Sequence, residues 1–251
     1  KTTDGVSIAF ATVGEGLPLV QMPSTIGHIQ LEWQIPECRG WYERLARTAK
    51  VIRYDPRGEG LSERNVSDFS LDAQVLDLEA VVDGLGLERF ALVGFFTSGP
   101  VAITYAARHP DRVSHLLLWC SWARAADAYE AQPAQSIAAL RDRDWTTYTE
   151  TVAHVLLGWS AGEPVRRWAG LMREAVTQET MHEVLLEAMQ FDATGLLPDL
   201  RTPTLVLQRR QAAFPEVGIA RGLASRIPDA RLAVLEGESL LVYLDDSEAV
   251  L

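Results

Sequence analysis

Apolar positions along this chain alternate between two periods. Val6 to Val13 places apolar residues at every second position, and Gly14-Glu15-Gly16 then leads into Pro18 to Met22, which predicts a hairpin feeding a buried strand. A short helix over Trp41 to Thr48 precedes a strand over Val51 to Tyr54. Leu71 to Leu85 is apolar at 71, 75, 78, 81, 82 and 85 with acids between, the 3.6-residue period of an amphipathic helix. Phe90 to Val93 predicts a strand, Pro100 to Arg108 a helix ended by His109-Pro110, and Val113 to Trp119 a further strand. Strands alternating with helices imply an α/β fold with a mostly parallel sheet covered on both faces.

The period changes after Ser121. From Trp122 to about Gly195 the pattern holds only helical segments, around Ile137 to Leu140, Tyr148 to Leu157, Val165 to Val176 and Met181 to Met189. Strand signals return at Thr204 to Leu207 and Arg231 to Leu235, with a helix near Val217 to Arg226 between them. This layout divides the chain into a first core part (1–121), a helical cap (122–196) and a second core part (197–251). Asp245 to Leu251 predicts the start of a helix that stops short, so further residues or a domain are expected beyond it, and Lys1 in place of an initiator Met suggests a trimmed start.

Composition narrows the partners. A formal charge of −11 without a Lys/Arg cluster argues against a nucleic-acid or anionic-membrane surface. No apolar run reaches the length of a membrane span. Cys38 and Cys120 lie far apart and fit neither a disulfide framework nor a metal pair, which points to a reducing cytoplasm. Metal-ligand spacing and glycine-rich phosphate loops are missing too, so no cofactor is expected.

The candidate chemistry centres on Phe90 to Ala102, FALVGFFTSGPVA, a strand, a glycine-flanked turn and a helix start. It resembles the nucleophile elbow of α/β-hydrolases, and other stretches match that superfamily: DPRGEGLS (55–62) is similar to its D-x-R-G-x-G-x-S turn, YAARHPDRVSHLLL (105–118) to its post-elbow helix and strand, and RTPTLVL (201–207) to the strand before the catalytic acid. DGVSIAFATVGEG and VIRYDPRGEG resemble bacterial hydrolase-like domains joined to cyclase or transcription-regulator modules. The resemblance implies an α/β-hydrolase fold with a helical cap. It also locates a triad of nucleophile, acid and histidine. In this chain the nucleophile position holds Phe96, the acid region reads Gln211-Ala212, and Leu240 stands in the histidine slot.

Triple loss of the triad implies a catalytically inactive domain that binds a small apolar or aromatic molecule as a sensor and regulates a fused or partner module. A non-hydrolytic enzyme on this fold (cyclase, lyase or isomerase), a hydrolase with a non-standard nucleophile, and a purely structural domain are the alternatives. The expected ligand site gathers Ser24, Thr25 and His28 after one strand, Phe96 and Thr97 at the elbow, Trp119, Ser121 and Trp122 after the next strand, and Leu240 near the end. Ser98 lies too far into the helix to replace the missing serine. Asp55 and Arg57 are expected to hold their loop, and His109, His115, His154 and His182 to be structural or solvated. For Phe96 the expectation is either a relaxed turn or a ring held tightly by the cap.

Overall fold

The structure, a computed structural model, describes residues 1–24, 26–129, 132–159 and 162–250. Within them lies one seven-stranded sheet of order β1-β3-β2-β4-β5-β6-β7. The strands are β1 Phe10–Val13, β2 Leu17–Gln21, β3 Ala49–Tyr54, β4 Phe90–Phe95, β5 Val113–Trp119, β6 Thr204–Arg209 and β7 Ala230–Leu235. All neighbours pair in parallel except β1, which runs antiparallel to β3.

The predicted hairpin is therefore corrected. β1 and β2 are consecutive but not adjacent, because β3 lies between them. Gly14 turns the chain at φ +81, and a Cβ there would stand 2.5 Å from the carbonyl oxygens of both Ala46 and Ala49. The turn is thus pressed against the segment entering β3, and only glycine fits so close an approach.

Before β3 come two helices, α1 Ile29–Gln34 and α2 Pro36–Leu45, where the sequence predicted only the second, starting later. Pro36 opens α2, using a position where its missing N–H costs nothing. Helix α3, Leu71–Gly84, begins at Ser70, whose hydroxyl accepts the Ala73 N–H. Helix α4, Gly99–Arg108, follows β4. Between β5 and β6 lies the cap, made of α5 Ala125–Tyr129, α6 Gln132–Arg141, α7 Trp145–Leu157, α8 Gly162–Ala175 and α9 Gln178–Ala188. Helix α10, Val217–Arg226, connects β6 to β7. The predicted terminal helix is a single 3-10 turn at Glu248–Val250. Among the described residues no helix is long and apolar enough to cross a membrane.

Adjacent strand residues belong to different cores. Ile52 packs with α3, α4 and α10 in one cluster, whereas Val51 packs with α2 and the cap in another. Alternation across the pleat explains the division, since successive side chains leave a strand on opposite faces.

The loop at 55–62 is pinned by buried charge. Arg57 donates from its backbone and from Nε to Asp77 of α3, at 3.0 and 2.9 Å, and from Nη1 to Asp4 at 2.9 Å. Asp55 accepts the N–H groups of Ile29 and Leu61 at 2.7 and 2.9 Å. Both Arg57 and Asp77 side chains are only 1% exposed. Removing one partner of such a pair strands the other charge in the interior. Asp77→Ala is expected to lower unfolding free energy by about 3–5 kcal/mol, read by urea denaturation; a loss below about 1 kcal/mol would show that the pair behaves as a surface contact.

Candidate active site

Strand β4 ends in a tight, left-handed turn. Phe96 adopts φ +44, a left-handed conformation that costs a bulky side chain on the order of 1–3 kcal/mol. A 3-10 turn over Phe96–Ser98 then enters α4. The turn is clasped from both sides. Ser98 Oγ accepts the Phe95 N–H and donates to the Phe95 carbonyl, both at 2.8 Å, while Ser121 Oγ donates to the Phe96 carbonyl at 2.7 Å. Space is equally tight: a Cβ on Gly94 would stand 2.8 Å from the Ala102 Cβ, and one on Gly99 would stand 1.7 Å from Ser121 Oγ. Of the two expected outcomes the relaxed turn is thus excluded. The Phe96 side chain is buried and lines a cavity together with Trp168 of the cap and Leu240.

Two small cavities meet at this elbow. The first, about 40 Å³, is lined by Ser24, Phe96 and Leu240, with Glu32, Tyr42 and Arg53 on its polar side. The second, about 30 Å³, is lined by Ser24, Tyr54, Glu59, Asp77, Thr97 and Ser98 among others. Each has room for two or three waters, at about 10–15 Å³ per water.

The structure brings together only part of the expected ligand site. Ser24, Phe96, Thr97 and Leu240 line these cavities. Thr25 lies outside the described residues. His28 does not reach either cavity; it is buried as the N-cap of α1, where its Nδ1 accepts the Leu31 N–H at 3.3 Å. Trp119 is also away from the cavities, donating from Nε1 to the Leu240 carbonyl at 2.7 Å, and Ser121 is spent on the elbow. The Trp122 ring packs against Phe214 with centroids 5.4 Å apart. These four residues follow strand ends as predicted, yet His28, Trp119 and Ser121 spend polar atoms on backbone groups and Trp122 packs its ring on Phe214.

The two loops that would carry an acid and a histidine are joined by an amide. Gln211 donates from Nε2 to Glu236 and accepts the Gly237 N–H on Oε1, both at 2.6 Å. Ala212 packs at the edge of the cap-side core. Leu240 is fixed by its N–H to the Leu156 carbonyl of α7 at 2.8 Å. Next to it, fully buried Arg209 donates to the Glu236 and Leu244 carbonyls at 2.6 and 3.1 Å and lies 5.3 Å from the centroid of the Trp119 ring. A cation held by carbonyls and an aromatic face anchors the terminal segment to β6.

Sequence reasoning passed over the charged walls. Arg53 donates to Glu32 at 3.0 Å, Tyr42 donates to the same Glu32 oxygen at 3.2 Å, and the guanidinium stands 3.8 Å over the Tyr42 ring. Glu59 is 2% exposed and accepts the Gly27 N–H on Oε2 at 2.9 Å. Burial, followed by the neighbouring Asp55 charge, pushes its carboxyl up to about 8. The readable signal was an acid flanked by glycines in Arg57-Gly-Glu-Gly60, inside a turn rich in glycine.

Comparison with known proteins fits this architecture. The α/β hydrolase fold family matches residues 35–238. The chain belongs to that family. A Caulobacter sp. (strain K31) protein, provisionally named carbamate hydrolase RutD, is 28% identical over 200 residues, covering 76% of this chain and 74% of its own. Among solved structures, an esterase from Exiguobacterium antarcticum superposes with a TM-score of 0.84 at 20% identity, covering 99% of this chain and 94% of its own. A thermophilic esterase from Thermogutta terrifontis superposes with a TM-score of 0.80 at 25% identity, covering 99% and 93%.

These relatives are enzymes, and their names are those of hydrolases. The expectation of an inactive sensor for a small apolar ligand is corrected accordingly, because the sequence relative is named for hydrolysis. Loss of the triad side chains at Phe96, Gln211-Ala212 and Leu240 leaves other ionisable groups at the site: the second cavity carries the buried carboxyls of Glu59 and Asp77.

Glu59 also fixes a pH dependence of stability. Its carboxyl holds a proton in the folded state that the unfolded chain gives up near the usual glutamate range, so stability falls as pH rises from about 5 to about 8 and levels off above. Glu59→Gln is expected to flatten that descent in Tm, measured by calorimetry across the window; a parallel slope in both proteins would show that other groups set it.

Proposed function

We propose that this chain is a hydrolase of small ester-, lactone- or carbamate-type carbonyl compounds, in which water attacks the carbonyl directly and no acyl-enzyme forms. The observation that carries this reading is the Phe96 turn: the elbow conformation at φ +44 is kept, with its energetic cost, although the residue there offers no nucleophile. A strained conformation persists only where its surroundings enforce it, and here two serine hydroxyls and two glycines do so. What the turn still supplies is the backbone N–H of the residue after the elbow, Thr97, in the 3-10 turn ahead of α4; Thr97 and Ser24 both line the second cavity. Paired N–H groups at these two places are the donors that stabilise a carbonyl oxygen as it becomes an oxyanion. The hydrolase names of the relatives support the reaction class.

Direct attack also agrees with the hydroxyls present. Ser98 Oγ already donates to the Phe95 carbonyl and is 4% exposed at the residue level, so its proton is committed to the turn. Purified protein is expected to turn over p-nitrophenyl acetate, a simple γ-lactone or a phenyl carbamate at a linear rate with no initial burst, and to remain active after incubation with a fluorophosphonate. Rates at the buffer level with all three substrates, or stoichiometric labelling with loss of activity, would overturn the proposal.

A further inference from the structure

The structure assigns Glu59 as the general base that activates the attacking water in the second cavity. This rests on the hydrolase reading above and names the group that reading leaves open. Three observations carry it. First, the carboxylate is built into the cavity wall rather than solvated: it is 2% exposed, and one oxygen is fixed by the Gly27 N–H, leaving Oε1 without a hydrogen bond among the described residues. Second, Tyr54, which is 3% exposed and lines the same cavity, also has a hydroxyl with no hydrogen bond among the described residues. Neither atom is among the fully enclosed unpartnered polar atoms of the described residues, and the cavity of about 30 Å³ that both residues line has room for water. Third, Ser24 and Thr97, whose backbone N–H groups are the oxyanion donors, form another part of the same small wall.

The step balances within these groups. The Glu59 carboxylate takes one proton from water as the water oxygen bonds to the carbonyl carbon, and the carbonyl π pair moves to its oxygen beside the N–H groups of Ser24 and Thr97. Collapse of the tetrahedral species breaks the bond to the leaving oxygen or nitrogen. That atom takes the proton back from Glu59, which is then ready for the next water.

The charges around Glu59 decide when it can act. Asp55 and Glu32 oppose its ionisation and Arg64 favours it. Arg57 and Asp77, already paired with each other, line the same cavity, and His28 lies close to Asp55. Val184 and Ala188 of α9, Phe191 beyond it and the elbow itself bring no charge. A base must be ionised, so kcat/KM, which reports the free protein, is expected to rise with pH and reach half its plateau near 8.

The test compares the parent with Glu59→Gln and Glu59→Asp. Glu59→Gln, shown to be folded by its circular dichroism, is expected to lose about 100- to 10,000-fold in kcat and the rising pH limb, with Glu59→Asp restoring part of both. Trifluoroacetone, whose hydrate mimics the tetrahedral species, serves as a probe independent of turnover: its fluorine NMR signal should shift with the parent and bind Glu59→Gln at least about tenfold more weakly, a loss of about 1.4 kcal/mol. A parent that turns over beside an equally active Glu59→Gln overturns the assignment and leaves the hydrolase reading standing. A parent without turnover removes the hydrolase reading; the probe then decides the assignment, which falls if both proteins, or neither, shift the signal.

Discussion

The ion pair between Arg57 and Asp77 is the constraint on which the site depends. Both side chains are 1% exposed, so their desolvation is tolerable only because each finds the other and because Arg57 uses its backbone N–H, Nε and Nη1 on fixed partners. That arrangement ties the loop after β3 to α3 and to the chain start at once. With the loop held, Asp55 can gather the N–H groups of Ile29 and Leu61, and Ser62 can bridge the Asp55 carbonyl and the Ala9 N–H at 2.6 and 2.9 Å. Gly60 shows how little freedom remains: a Cβ there would lie 2.2 Å from an Asp55 oxygen. Glu59 sits between these fixed points, so its burial follows from the loop's geometry.

The elbow poses the complementary problem of a bulky residue in a left-handed turn. Burial of the Phe96 ring, of the order of 1.5–3 kcal/mol, is comparable to the strain of its backbone, so the ring alone gives the turn no net preference. The hydroxyl clasp of Ser98 and Ser121 and the close approach allowed by Gly94 and Gly99 hold it in place. Serine at position 98, where the superfamily's second glycine belongs, is therefore explained by the turn: it binds both the N–H and the carbonyl of Phe95.

Periodicity and punctuation made most of the fold legible. Leu71 to Leu85 announces α3 because one face must be apolar, and Pro203 with Thr204 to Leu207 announces β6. The β1–β2 hairpin was misread because Gly14-Glu15-Gly16 has the composition of a tight turn, while the partner choice depends on β3, some 35 residues on, through the register Phe10 to Tyr54. Local signals do not encode nonlocal pairing. At the site, Phe96 and Leu240 were readable through a motif that fixes their places. His28, Trp119 and Ser121 were not, because position at a strand end does not say whether a side chain turns to the cavity or back to a carbonyl. The grouping of Glu59 and Tyr54 was invisible in sequence for a related reason, since it is created by the buried loop.

The size of the cavity bears on what a carboxylate there is for. A buried acid with no hydrogen bond on one oxygen destabilises a fold, and a neutral isostere such as glutamine would lift most of that cost. Structural work does not require it either, because the Gly27 N–H could be accepted by an amide oxygen. Space for water beside the free oxygen changes the balance: a water there would solvate it partially, while burial keeps the carboxyl reluctant to ionise. A group poised near neutral pH, confined with water and facing the start of α4, has the properties that proton abstraction needs and that packing does not.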